Sequence, residues 1–288
     1  MKIAAIPTLF FLTLAAVLAA QPADDLQALI DNRTKAAKRA VGIVAGTVGS
    51  GGTHLFSAGQ IATGDARKPD GDTLFEIGSI TKVFTSLLLA DMIERGEVKP
   101  DDPVARYLPN GAKVPARNGK QITLLNLSMQ DSGLPRLPNN MKPADPDNPY
   151  ADYDGQKLLA FLASYELNRD PGEKYEYSNL GVGLLGFALA HRAGISYEQL
   201  VRERIFKPLH MDSSTVTLSP AQKKFLAPGY DTELKPVENW DLEALAGAGA
   251  IRSTANDMLK FLAANLGLVD TPLKSAMIRM RSVRKETG

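Results

Sequence analysis

Within Phe75-Glu76-Ile77-Gly78-Ser79-Ile80-Thr81-Lys82-Val83-Phe84, a hydroxyl precedes an amine by three residues at the head of an apolar stretch. A serine oxygen attacks carbonyl carbon usefully only when a base sits within hydrogen-bond reach. On a helix, residues i and i+3 share a face, so Lys82 can touch Ser79. It can accept a proton there if burial or a neighbouring cation lowers its pKa. In a first turn, Ser79 also leaves its own backbone N–H unpaired and aligned with the helix dipole, the requirement for holding an oxyanion. A plainer reading makes Ser79 a helix N-cap and Lys82 a first-turn surface residue. A second Ser-x-x-Lys, Ser282-Val283-Arg284-Lys285, lies in a charged tail without such context.

Tyr177-Ser178-Asn179 follows 98 positions after Ser79 (177 − 79), behind Asp170-Pro171-Gly172 and ahead of a glycine-rich helical stretch. A phenol beside an ammonium has its pKa lowered, so Tyr177 can shuttle the serine proton with Lys82. Asn179 carries both a donor and an acceptor, suited to a substrate amide and to Lys82. Taken alone, a tyrosine is a packing residue. Two motifs in this order favour chemistry.

The elements that must position these groups follow from periodicity. Residues 24–39 read as an amphipathic helix, 41–48 and 53–61 as strands joined by a turn at Gly49-Ser50-Gly51-Gly52. The motif serine opens a helix running to Arg95 and closed by Gly96, apolar on nearly every side and therefore buried. Further helices are predicted at 154–166, 179–193, 197–205, 255–266 and 271–281, and the proline-rich segment 137–154 as a long irregular wall. Two strands followed by a mostly helical body make a poor sheet, because a hairpin is marginal by itself.

The chain has 288 residues, 44% hydrophobic and 23% charged, with 33 basic against 32 acidic residues. That is ordinary globular composition, without the charge footprint of a nucleic-acid or membrane-surface binder. Lys2 followed by an uncharged run to Ala20 reads as a secretory signal peptide over residues 1–20, so a secreted or periplasmic protein with no membrane span after cleavage is expected. The absence of cysteine excludes disulfides, lipid-anchored thiols and thiolate metal sites. The three histidines, His54, His191 and His210, lack metal-ligand spacing, and no Gly-x-Ser-x-Gly elbow occurs. No metal and no cofactor is expected.

Together with the two motifs, Gly96 to Val104, Ile122 to Leu127, Ser132-Gly133-Leu134-Pro135, Ile205 to Met211 and Gly247 to Met258 make the chain resemble the class C β-lactamase family of serine hydrolases. That family includes D-alanyl-D-alanine carboxypeptidases and related esterases. The resemblance implies an α/β (α+β) fold of the β-lactamase/transpeptidase type, an antiparallel sheet lobe, incomplete here, packed with a mostly helical lobe. It implies that Ser79 attacks the carbonyl, Lys82 and Tyr177 move protons, and Asn179 holds the substrate amide. The substrate would be a β-lactam, a D-alanyl-D-alanine peptide or an ester.

Two departures stand out. Gln130-Asp131 occupies the place where many relatives carry a histidine or tyrosine, which is expected to affect loop packing more than chemistry. The family's Lys-Thr-Gly or His-x-Gly strand motif is missing, and Lys285-Glu286-Thr287-Gly288 reads as a linker. Residues 21–288 are therefore expected to be a hydrolase domain truncated at its C-terminal end, poorly stable and weakly active. A non-catalytic peptidoglycan- or partner-binding relative is the alternative of a different class.

Overall fold

The computed structural model describes residues 23–282; the expected signal peptide and the Lys285–Gly288 segment lie outside the described residues. In chain order the elements are α1 (Ala23–Asp31), β1 (Gly42–Gly49), β2 (Gly52–Gly59), β3 (Phe75–Glu76), α2 (Thr81–Glu94), β4 (Ala116–Arg117), β5 (Lys120–Gln121), α3 (Leu124–Ser128), α4 (Gly155–Ser164), α5 (Asn179–Ala193), α6 (Tyr197–Val201), β6 (Gly229–Tyr230), β7 (Pro236–Val237), α7 (Ala246–Gly249), β8 (Arg252–Ser253), α8 (Ala255–Asn265) and α9 (Lys274–Arg281). Among the described residues the strands form four antiparallel pairs: β1–β2, β3–β8, β4–β5 and β6–β7. None of the helices there is long and apolar enough to cross a membrane.

α2 is the hub. Thr81, Lys82, Phe84, Thr85 and Leu87 to Met92 are all buried, and α3, α5, α6, α7 and α9 lie against it. A helix apolar on most sides can satisfy its surface only by being surrounded. Phe84 stacks on Phe261 of α8 at 4.4 Å and meets Phe206 edge-on at 5.9 Å, so one ring ties three segments. The β1–β2 hairpin sits at the periphery, with α8 against β1 and α1 against β2.

The serine does not begin the α-helix itself. Gly78–Ile80 forms a 3₁₀ turn, and the α-helix starts at Thr81. Gly78 has φ +51°, a left-handed conformation that glycine adopts without the penalty of a Cβ. The turn is anchored by β3 pairing with β8 and by Ile77 N–H donating to the Ile251 carbonyl at 3.1 Å.

Two other predicted helices end differently. The 24–39 segment leaves α-geometry after Asp31 for a π-turn over Asn32–Ala36. The 197–205 segment does the same after Val201, with a π-turn over Arg202–Phe206. α9 begins at Lys274 rather than at residue 271.

Candidate active site

Two side chains converge on the Ser79 hydroxyl. Lys82 Nζ donates to Ser79 Oγ at 3.0 Å, and the Tyr177 hydroxyl donates to the same oxygen at 2.6 Å. Ser79 is exposed, Tyr177 half-buried and Lys82 buried. The convergence joins α2 to the loop entering α5. In that loop the N-cap Ser178 accepts from Gly181 N–H at 2.8 Å and donates to the Pro135 carbonyl at 2.6 Å. The cap fixes where Tyr177 leaves the helix axis, because an N-cap residue has extended backbone and turns the chain sharply.

Lys82 has a second partner that the sequence did not reveal, the Ala248 carbonyl of α7 at 2.7 Å. That carbonyl reaches Lys82 because α5 and α7 touch backbone to backbone. A Cβ on Gly247 would lie 3.0 Å from Gly186 Cα and from the Val182 carbonyl oxygen. Thr85 adds a bond from its hydroxyl to the Gly247 carbonyl at 2.7 Å. The glycine-rich sequence of α5 is thus a contact surface for α7.

Burial is the main influence on Lys82 and lowers its pKa; Arg136 lowers it further, while Tyr177 acts the other way. Partial burial pushes the Tyr177 phenol up. Hydrogen bonding with Lys82 and Ser79 and the charges of Lys82 and Arg136 outweigh it, and hold the phenol below the ordinary tyrosine range. Both groups are therefore moved toward their basic forms.

Asn179 lies at the first position of α5, and its Oδ1 is buried with no hydrogen-bond partner among the described residues. The expected contact with Lys82 is not made, since the Lys82 ammonium is directed to Ser79 and Ala248. Gln130, the sequence departure, has φ +62° and accepts Ser178 N–H on its Oε1 at 2.7 Å, while its carbonyl accepts Glu176 N–H at 2.7 Å. It clasps the segment on both sides of Tyr177.

Arg136, directly after Ser132-Gly133-Leu134-Pro135, belongs to neither motif and carries no sequence signal of its own. Its guanidinium carbon lies 5.0 Å from the Tyr177 ring centroid, and its carbonyl accepts Asn179 N–H at 3.0 Å. The three histidines lie on separate segments, each exposed and away from this cluster.

The structure thus brings Ser79, Lys82 and Tyr177 together, with the hydroxyl held between an amine and a phenol in the turn that leads into a buried helix. The Beta-lactamase family model matches residues 26–287, and the chain belongs to that family. It is 35% identical over 213 residues to the D-alanyl-D-alanine-carboxypeptidase/endopeptidase AmpH of Escherichia coli K12, covering 74% of this chain and 54% of that protein. It is 31% identical over 231 residues to a β-lactamase of the same organism, covering 80% and 57%. The chain thus spans little more than half the length of these relatives.

Among solved structures it resembles a β-lactamase/D-alanine carboxypeptidase from Yersinia pestis in complex with citrate. The TM-score is 0.76 and the identity 28%, over 90% of this chain and 72% of that one. A class C β-lactamase from Rhodobacter sphaeroides gives a TM-score of 0.73 at 28% identity, over 88% and 69%. The fold is the β-lactamase/transpeptidase type.

Proposed function

We propose that this chain is an exported serine hydrolase that forms an acyl-enzyme at Ser79 on β-lactams or D-alanyl-D-alanine peptides. Residues 1–20 would be its export signal and residues 21–288 its hydrolase domain, acting in the periplasm or outside the cell. The observation that carries the reading is the placement of Ser79 Oγ 3.0 Å from Lys82 Nζ and 2.6 Å from the Tyr177 hydroxyl. Family membership and the names of the relatives support the substrate class.

In this reading Ser79 Oγ attacks the carbonyl carbon while its proton passes to the Tyr177–Lys82 pair. Collapse of the adduct breaks the carbon–nitrogen bond, and the departing nitrogen takes that proton. The ester on Oγ is then cleaved by water, whose hydroxyl joins the acyl carbon and whose remaining proton returns to Ser79. The Ser79 backbone N–H, at the mouth of the turn, donates to the oxyanion. The orphan Asn179 Oδ1 accepts the N–H of the substrate's side-chain amide.

The substrate is decided by incubating the protein with a benzylpenicillin and with a D-alanyl-D-alanine tripeptide, and measuring opened lactam and released D-alanine. Product from either, absent in Ser79→Ala, is expected. No product and no covalent adduct from folded protein would leave only the binding alternative.

An esterase of the same fold is the second reading, and one observation favours it. A groove of about 390 Å³ begins at Lys82 and runs along Val83, Ser86, Ala90 and Ile93 of α2, faced by Leu125 and Met280. Such a surface fits an aliphatic chain, so rates on nitrophenyl esters rising with acyl length would support it.

A further inference from the structure

We propose that Arg136 is a positioning residue for the reaction at Ser79, holding the Tyr177 phenol in place and supplying, beside Lys82, a second positive charge that favours its anionic form. The inference rests on the reading of Tyr177 as proton carrier for Ser79, and it concerns a residue that neither motif includes.

Three observations carry it. The Arg136 guanidinium carbon lies 5.0 Å from the Tyr177 ring centroid and Lys82 Nζ 4.8 Å from the same centroid, so two cations face one phenol. The Arg136 carbonyl accepts the N–H groups of both Asn179 and Leu180, at 3.0 and 3.2 Å, so its backbone is fastened to the turn that carries Tyr177. Its neighbour Pro135 accepts the Ser178 hydroxyl at 2.6 Å, which fixes the two segments side by side. Arg136 is exposed, and no carboxylate among the described residues pairs with it. Its guanidinium is thus left to the Tyr177 ring face, next to Ser79.

The electrostatic surroundings leave the effect legible. The charged groups acting on Tyr177 are Lys82 from α2 and Arg136 from the turn before α5, and both lower its pKa. Glu176, adjacent in the chain, is engaged by Arg169. A tyrosine must be a phenolate to take the serine proton, and a nearby cation stabilises that state by direct Coulomb attraction. Arg136 also lowers the pKa of Lys82, so its charge moves both carriers in the productive direction.

The test titrates the near-ultraviolet phenolate absorbance of the full chain against Tyr177→Phe protein, so that the difference isolates one phenol. The titration is repeated with Arg136→Gln and Arg136→Lys. In Arg136→Gln the Tyr177 ionisation moves up by about 0.5–1 pH unit, and in Arg136→Lys by less than half of that. The shift shrinks at about 0.5 M salt, because the guanidinium is exposed and screened. The acid limb of Ser79 labelling by a fluorescent penicillin moves by the same amount, lowering the rate on that limb about three- to tenfold.

A Tyr177 ionisation unchanged in folded Arg136→Gln overturns the proposal, and so does an unmoved acid limb in protein that labels. Failure of the wild-type protein to label, with the phenol shifted as stated, contradicts the Ser79 reading instead and leaves the Arg136–Tyr177 coupling supported.

Discussion

Ser79 Oγ receives hydrogen bonds from an amine and a phenol whose pKa values are both displaced downward. The sign of the resulting pH dependence follows directly. A lowered pKa means that the proton-accepting form is populated at lower pH than in the free side chain. Acylation should therefore rise with pH through a limb whose midpoint lies below the ordinary tyrosine value of about 10. Tyr177→Phe removes one proton carrier and keeps the ring, and should slow penicillin acylation by about 10²–10⁴-fold with little change in stability. Stopped-flow labelling across pH checks both. Unchanged acylation in Tyr177→Phe would remove the phenol from the mechanism.

At the scale of elements, the site depends on helices that meet without side chains between them. Gly247→Ala would place a methyl group 3.0 Å from Gly186 Cα and the Val182 carbonyl oxygen, both backbone atoms that cannot swing away. A loss of about 1–3 kcal/mol is expected on urea denaturation, with slower acylation because the Ala248 carbonyl under Lys82 moves with α7. A second joint is α6, where Glu198 Oε1 accepts the Thr215 hydroxyl and the N–H groups of Val216 and Thr217, at 2.8, 3.1 and 3.0 Å. Burial raises the Glu198 pKa, but those hydrogen bonds prevail and leave it lowered from 4.5. A depressed folded-state pKa gives stability that is present above about 4.5 and lost as pH falls through the folded value. Glu198→Gln should thus cost about 1–3 kcal/mol at neutral pH and progressively less in acid, measured by denaturation at several pH values.

These joints also show what the sequence could reveal. The 179–193 helix was legible to the residue, because Ser178 caps it and Gly194 ends it at φ +70°. The turn at Ser79, the partner of Lys82 and the role of Arg136 were not, since each depends on backbone atoms brought together from distant segments. The Ala248 carbonyl is 166 residues from Lys82, and no side-chain pattern marks a carbonyl. The π-turns after α1 and α6 escape for a related reason, because their residues keep a helical composition while the hydrogen-bond spacing changes.

For the whole molecule, α2 is both the core and the platform of the site. Phe84 joins it to α8 and to the 202–206 turn, so Phe84→Ala should cost about 3–5 kcal/mol by calorimetry or denaturant titration. Its N-terminal outer edge is different: Ile80 is 50% and Val83 39% exposed close to Ser79, and Val83 lines the apolar groove. The same helix therefore has a buried side that sets stability and an open side that, in the proposed function, faces the substrate. The central claim is that the oxygen at this edge is the nucleophile. Intact-protein mass spectrometry after brief incubation with benzylpenicillin, followed by peptide mapping, tests it most directly. The account predicts one added penicilloyl mass on the peptide containing Ser79, absent in Ser79→Ala and slowed in Tyr177→Phe. Folded protein that acquires no adduct, or acquires it on another residue, would contradict it.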